Sequence, residues 1–298
     1  MTAPAATDLV TLVSDELSAD VALLGAELVR LDDAVGQALL WSGDATWWAG
    51  RAPLLFPIVG GLADDTFRHR GRAYTLPRHG FARRSVFGLV ERGTAHVTLR
   101  LEDSEATRAV WPFAFRLDVT HRLTGARLET VAEVTNHSDE AMPCAFGFHP
   151  AFRWPLPGAG GRSAHTIRFE TPETAPIRRL DGRGLVDPTP RPSPVAAAIL
   201  ALDDQLFVED AVIFDRPASR RLRYGTGEIG LDIVFPDMPH LALWSKPGAP
   251  FVCIEPWQGH ADPADFTGEI VDKPGMVQLA PRASRRFSMS VELTFGQA

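Results

Sequence analysis

The stretch Phe115-Arg116-Leu117-Asp118-Val119-Thr120-His121-Arg122-Leu123-Thr124-Gly125-Ala126-Arg127-Leu128-Glu129-Thr130-Val131-Ala132-Glu133-Val134 decides the fold class. Phe115, Leu117, Val119 and Leu123 share one phase of a period of two, with polar residues mostly opposite. Thr124-Gly125 makes a turn, and Leu128, Thr130, Ala132 and Val134 then alternate against Arg127, Glu129 and Glu133. A period of two on either side of a turn reads as half-buried antiparallel strands. Outward from there, Val97, Leu99 and Leu101 alternate with Thr98, Arg100 and Glu102. Near the end, Phe287, Met289, Val291 and Leu293 alternate with Ser288, Ser290 and Glu292. Shorter strand signals fall at residues 21–24, 27–31, 39–41, 74–76, 211–214, 229–235, 241–244 and 251–255. The only helical signal, a short one, is at residues 195–202. Residues 155–162 read as a Pro/Gly loop and 189–194, with three prolines, as extended and exposed. Residues 47–61 are too broken by Pro and Gly for a regular element, yet they carry aromatics and Arg51 into an apolar context. No repeat, charge run or linker divides the chain. The expectation is one domain spanning residues 1–298, mainly β, a large antiparallel sandwich with few short helices.

Composition narrows the function classes. Hydrophobic residues make up 45% of the 298 and charged residues 22%, ordinary values for a chain that buries a sizeable core. A net charge of −7 opposes a phosphate-backbone partner, which needs a basic face. Of the 30 basic residues, only Lys246 and Lys273 are lysine. Cys144 and Cys253 sit in apolar strand-like runs and read as small packing hydrophobes rather than a disulfide framework. The first twenty residues are acidic and lack a basic region followed by an apolar core, so no signal peptide is read there. The longest apolar run, near residues 53–63, is too short and too broken to span a bilayer. A soluble, cytoplasmic protein, monomer or homodimer, is expected.

Two strand ends carry candidate chemistry. In Pro143-Cys144-Ala145-Phe146-Gly147-Phe148-His149-Pro150, the alternation puts His149 on one face with Gly147 and Ala145, so that face is hollow and a titratable group stands at its end. The residues fit equally a core histidine satisfied by a carbonyl. In Pro250-Phe251-Val252-Cys253-Ile254-Glu255-Pro256-Trp257, an apolar strand runs into Glu255, with Pro256 as its terminator. A carboxylate there is costly unless paired or at a cavity, and desolvation raises its pKa toward that of a general base. A carboxylate that merely receives local backbone donors fits too. His149 and Glu255 are an acid/base pair by type. No His-Glu-x-x-His, Cys-x-x-Cys pair or Gly-rich phosphate loop follows a strand, and His165, His240 and His260 lack ligand spacing. The sequence argues for no metal and no cofactor.

Phe148-His149-Pro150-Ala151-Phe152, Cys253-Ile254-Glu255-Pro256-Trp257, His79-Gly80-Phe81-Ala82-Arg83 and Arg51-Ala52-Pro53-Leu54-Leu55-Phe56-Pro57 together resemble the aldose 1-epimerase (galactose mutarotase-like) family, in chain order as well. The resemblance implies a β-supersandwich with a sugar cleft across one sheet. It implies Glu255 as the base that takes the anomeric hydroxyl proton and His149 as the acid that protonates the ring oxygen. It implies His79 and Arg51 as holders of sugar hydroxyls. Asp210 is the best match to the family's late aspartate, with Asp203 and Asp204 as competitors. Trp257 and Trp154 are candidates for an apolar face under the sugar, simple rim packing being the alternative. Pro150-Ala151-Phe152-Arg153 replaces the Thr/Ser-Tyr-Phe-Asn that usually follows the family's histidine, so sugar identity stays open.

The expected function is cofactor-independent interconversion of α and β anomers of a free aldose, with a small-molecule sugar as partner. Alternatives are a hexose 6-phosphate epimerase, for which Arg51, Arg72, Arg78, Arg83 and Arg84 offer phosphate forks, and a non-catalytic carbohydrate-binding or regulatory protein. A glycoside hydrolase ranks last, since it needs two flanking carboxylates and only one is convincing.

Overall fold

The alternating runs pair as their phases require. In the computed structural model, which describes residues 9–296, Phe115–Thr124 and Arg127–Asn136 form a hairpin in the register Leu123↔Leu128 and Val119↔Ala132. Gly125 takes φ +55° in its two-residue loop, the left-handed conformation such tight hairpins favour. The first eight residues of the acidic N-terminal stretch lie outside the described residues.

This hairpin is central to a nine-stranded antiparallel sheet. Its order is Ile199–Ala201, Thr166–Phe169, Arg221–Gly225, Ile229–Val234, Ser284–Phe295, Arg127–Asn136, Phe115–Thr124, His96–Glu102 and Gly88–Arg92. A second sheet runs Val212–Phe214, His240–Trp244, Phe251–Gln258, Phe146–Phe148 and Leu54–Leu55, with Ala151–Arg153 also on Phe251–Gln258. The two sheets share a core through facing aromatics: Phe146 stacks on Phe287 at 5.3 Å, Phe169 meets Phe214 at 5.4 Å and Phe56 meets Phe115 at 5.1 Å between ring centroids. Each such contact adds specific geometry to a large burial of apolar area. The antiparallel sandwich expected from the alternation is the observed architecture. A smaller three-stranded sheet, Leu9–Val13, Leu17–Ala22 and Leu28–Asp33, adds its buried faces to the same core.

Two local readings are corrected. Residues 195–202 are not helical. Pro194 precedes them, Ala197 adopts φ +55°, and Ile199–Ala201 pairs as an edge strand with Thr166–Phe169, burying Leu200. Tertiary pairing of one buried leucine outweighs alanine's helix preference over so short a run. The only α-helix among the described residues is Glu105–Val110, entered through a capping box in which the Ser104 hydroxyl accepts from the Thr107 amide. Pro256 does not end its strand either, since Phe251–Gln258 runs through it. The Ile254 amide donates to the Pro150 carbonyl across the seam, so two residues on, the donor Pro256 lacks faces the same seam. The ladder is interrupted there in any case, between the pairs Gly147↔Trp257 and Ala151↔Cys253. No helix of the described residues is long and apolar enough to cross a membrane.

Candidate active site

That interrupted seam builds the site. Continuing the register of Phe146↔Gln258 and Gly147↔Trp257 on one side, and of Ala151↔Cys253 on the other, sets His149 directly across from Glu255. On the next strand, Ala242 lies beside Glu255, His240 beside Trp257 and Trp244 beside Cys253. Side chains at every second position point to one face. The face away from the common core therefore carries Gly147, His149, Cys253, Glu255, Trp257, Ala242 and Trp244. The Trp257 ring packs directly over Gly147, where a Cβ would come within 2.7 Å of it.

A cavity of about 300 Å³, the lower end of the small-molecule range, opens on this face. His149, Glu255, His79, Asp210 and Trp257 all line it, joined by Trp48, Trp244, Arg78, Arg83 and Lys246. His149 Nε2 and Glu255 Oε2 are 3.1 Å apart. They are not aligned as a hydrogen bond, and Oε2, like His149 Nδ1 and Trp257 Nε1, is buried without a partner. Glu255 is 1% exposed and His149 9%. Burial penalises the charged form of each, so the Glu255 carboxyl is pushed well above the usual range, with the Asp210 charge adding to the rise. The same desolvation pulls His149 down to about 3, with Arg83 opposing its protonation further. The pair therefore holds one proton and is neutral as a unit. Moving that proton across the 3.1 Å contact is the change that separates an acid form from a base form.

Aromatic rings frame the histidine. Trp48 stacks on it with centroids 5.0 Å apart and planes at 26°, while Trp244 and His79 present edges at 6.0 and 5.9 Å. His79 sits in the left-handed region at φ +66°, followed by Gly80 at φ +68°, whose Cβ would collide with the Phe56 carbonyl 2.3 Å away. The Gly60 amide donates to His79 Nδ1 at 3.0 Å, so the neutral ring carries its proton on Nε2. Burial and the nearby His149, Arg83 and Arg78 keep it well below the ordinary histidine value. Asp210 also has φ +64°, turning its carboxylate out where the Val212–Phe214 strand begins. Its Oδ1 accepts from the Ala211 amide, and Arg179 donates to its carbonyl.

The other candidates are elsewhere. Asp203 caps a short 3₁₀ turn through the Gln205 amide, and Asp204 pairs with Arg162, so neither competes with Asp210 for the cavity. Arg51 is not a lining residue: its Nε donates to the Ser42 carbonyl at 2.7 Å, and its side chain lies along Gly43. Its backbone instead ties the site together, accepting from the Ala151 amide and donating to Glu27. Trp154 is buried at 1% exposure against Phe207, with the Arg162 guanidinium 3.6 Å above its ring, which corrects the reading of it as a sugar platform. Trp48, Trp244 and Lys246 were not singled out from the sequence. The one available signal was the aromatic-rich segment at residues 47–61, irregular yet apolar.

Arg78 and Arg83 form a cationic corner. Arg83 Nη2 donates to the Arg78 carbonyl at 3.0 Å, and its buried Nε has no partner. Burial and the adjacent Arg84 and Arg78 lower its affinity for its proton. Among the described residues, no carboxylate forms an ion pair with Arg78, Arg83 or Lys246.

Comparison with known proteins identifies the family and the fold. The family profile described as aldose 1-epimerase matches residues 8–276. The chromosomal and plasmid forms of Protein LacX from Lactococcus lactis subsp. lactis are each 31% identical over 295 residues, covering 95% of this chain and 99% of theirs. A galactose mutarotase related enzyme from Lactobacillus acidophilus superposes with TM-score 0.89 at 28% identity, covering 97% of this chain and 98% of that one. A galactose mutarotase-like protein from Lactobacillus casei superposes equally, TM-score 0.89 and 28% identity, over 96% of this chain and 100% of its own.

Proposed function

The chain belongs to the aldose 1-epimerase family, and from that premise and the cavity's geometry we propose that it interconverts the α and β anomers of an aldose. Glu255 takes the proton of the anomeric hydroxyl while His149 gives one to the ring oxygen. The C1–O5 bond breaks, leaving the free aldehyde and a hydroxyl. Rotation about C1–C2 and the reverse proton transfers close the other anomer. The overall reaction needs one proton removed and one delivered, with none gained or lost. The observation that carries this reading is the 3.1 Å contact between His149 Nε2 and Glu255 Oε2 on the floor of the cavity. The productive microstate, carboxylate beside imidazolium, differs from the neutral one by a single proton shift, and the Trp48 face stacked on the ring favours the imidazolium. His79 Nε2–H and the unpartnered Trp257 Nε1–H are donors for sugar oxygens, and Asp210 is an acceptor.

A second reading, the same reaction on a sugar carrying a phosphate, is favoured by the unpaired Arg78 and Arg83 at the cavity. Polarimetry of freshly dissolved α-glucose, α-galactose and glucose 6-phosphate tests both. Faster approach to the anomeric equilibrium with a free sugar supports the first. Acceleration confined to the phosphate ester, with inhibition by inorganic phosphate, moves the assignment to the second. Sugar binding without acceleration of any of the three refutes catalysis and leaves a binding protein.

A further inference from the structure

The mechanism leaves one residue of this sheet face unused. Cys253 is fully buried and two positions before Glu255 on the same strand, so both side chains rise from one face, and His149 stands across the seam. One ligand atom from each of His149, Cys253 and Glu255 lies within 4.8 Å of the others. Two ligands at i and i+2 of a strand plus one from the neighbouring strand make a three-point set on one face. A neutral imidazole, a thiolate and a carboxylate are the ligand types of zinc sites that keep a fourth position open. Glu255 Oε2 is buried and has no hydrogen-bond partner. His149 and Glu255 also line the cavity, so the set borders it.

We propose that His149, Cys253 and Glu255 form a site for a thiophilic divalent cation of the zinc class, and that its occupancy switches off the acid/base pair. Bond lengths of about 2.0–2.3 Å set tetrahedral ligand atoms roughly 3.5 Å apart, so the set needs to contract by about 1 Å, a side-chain torsion rather than a backbone shift. His149 and Glu255, at 3.1 Å, already meet that spacing. Binding forms metal–sulfur, metal–nitrogen and metal–oxygen bonds and displaces water from the hydrated cation. It releases two protons to solvent, one from the Cys253 thiol and the one held by the His149/Glu255 pair. Two anionic ligands and a doubly charged cation leave the buried site neutral, as before binding, so no net charge is moved into the low-dielectric floor. The lone pairs that take and give sugar protons are then committed to the metal. Cation binding is independent of the proposed reaction; the inhibition alone rests on that reading.

Cobalt(II) is the probe for binding, titrated into the full chain and into Cys253→Ala and Cys253→Ser, with circular dichroism establishing that each variant is folded. The parent takes up one equivalent and shows a thiolate-to-cobalt charge-transfer band. Both variants lose that band and bind at least tenfold more weakly. Zinc(II) is then added to the anomerisation assay, each protein being scored against its own metal-free rate. The parent is inhibited over the range in which it binds and recovers with chelator, whereas Cys253→Ala needs at least tenfold more zinc. Absence of the charge-transfer band in the parent, or equal cobalt affinity in a folded variant, overturns the site. Binding without loss of the parent's anomerisation rate overturns the switch. A protein with no anomerase activity leaves the spectroscopic result to decide the site.

Discussion

Replacing Glu255 by Gln removes a base while keeping its shape, and the structure sets what should follow. The carboxyl group is 1% exposed, walled by Trp48, Trp244 and Trp257, and among the described residues no other carboxylate stands 3 Å from the histidine. A positioned general base contributes roughly 10²–10⁴-fold. The expected fall in kcat is about 10²–10⁴-fold, a barrier higher by about 3–5.5 kcal/mol. Sugar affinity should change by no more than a few-fold, because the proposed hydroxyl-binding groups His79, Asp210 and Trp257 are untouched. Stability should move the other way. Burial raises the Glu255 pKa, so the folded state disfavours the carboxylate. This cost is absent below the unfolded value near ~4.3 and grows as pH rises through it. The amide never ionises, so the variant should melt above the parent at pH 7, with the difference closing below about pH 4. Polarimetric progress curves, calorimetric sugar titration and thermal melts at two pH values read the three quantities. Anomerisation at the parent rate would show that Glu255 is not the base. Loss of binding and folding together with the rate would show that its role is structural.

His149→Asn should also lower kcat by at least 10²-fold with binding retained, and full activity would assign the acid to another group. Gly147→Ala places a Cβ 2.7 Å from Trp257 Cδ1 and 3.0 Å from Leu55 Cδ1. The indole should be pushed toward the cavity, costing about 1–3 kcal/mol in denaturant unfolding and raising KM several-fold; an unchanged KM would show that Trp257 does not shape the site. His121 is buried, accepting from the Thr130 hydroxyl on Nδ1 and donating from Nε2 to the Ala26 carbonyl, and burial lowers its pKa to about 4. Its neutral form is the one folded in, so its contribution is intact above about pH 6.5 and is lost as pH falls toward 4, roughly 3 kcal/mol in all. Unfolding of the parent and of His121→Gln across that window should differ in slope by this amount, and parallel curves would refute it.

What could be read along the chain was whatever has a local period. The runs at residues 97–102, 115–134 and 287–295 alternate because one face of each is buried, and that burial is visible residue by residue. The short strands Thr166–Phe169 and Arg221–Gly225 were not read, since each shows too few turns of its period. The run at 195–202 misled because alanine's preference is weak beside a partner strand supplied from elsewhere. The site divides in the same way. His149 and Glu255 announced themselves as titratable groups in apolar strand-like runs, and His79, Asp210 and Trp257 lie around the same cavity as they do. Arg51 stands in a stretch of the same family likeness, yet its guanidinium turns to the Ser42 carbonyl. Trp48 approaches His149 across about a hundred residues of chain, and Arg78 and Arg83 gain their meaning only from the carboxylates they do not meet. The sequence by itself determined the strand phases, the β class and the two titratable residues proposed as the acid/base pair, because backbone pleat and desolvation cost act on neighbouring residues. Only the tertiary structure decided that His149 faces Glu255, that Cys253 lies beside them and which arginines reach the cavity, because sheet register and loop closure are set by contacts between distant residues.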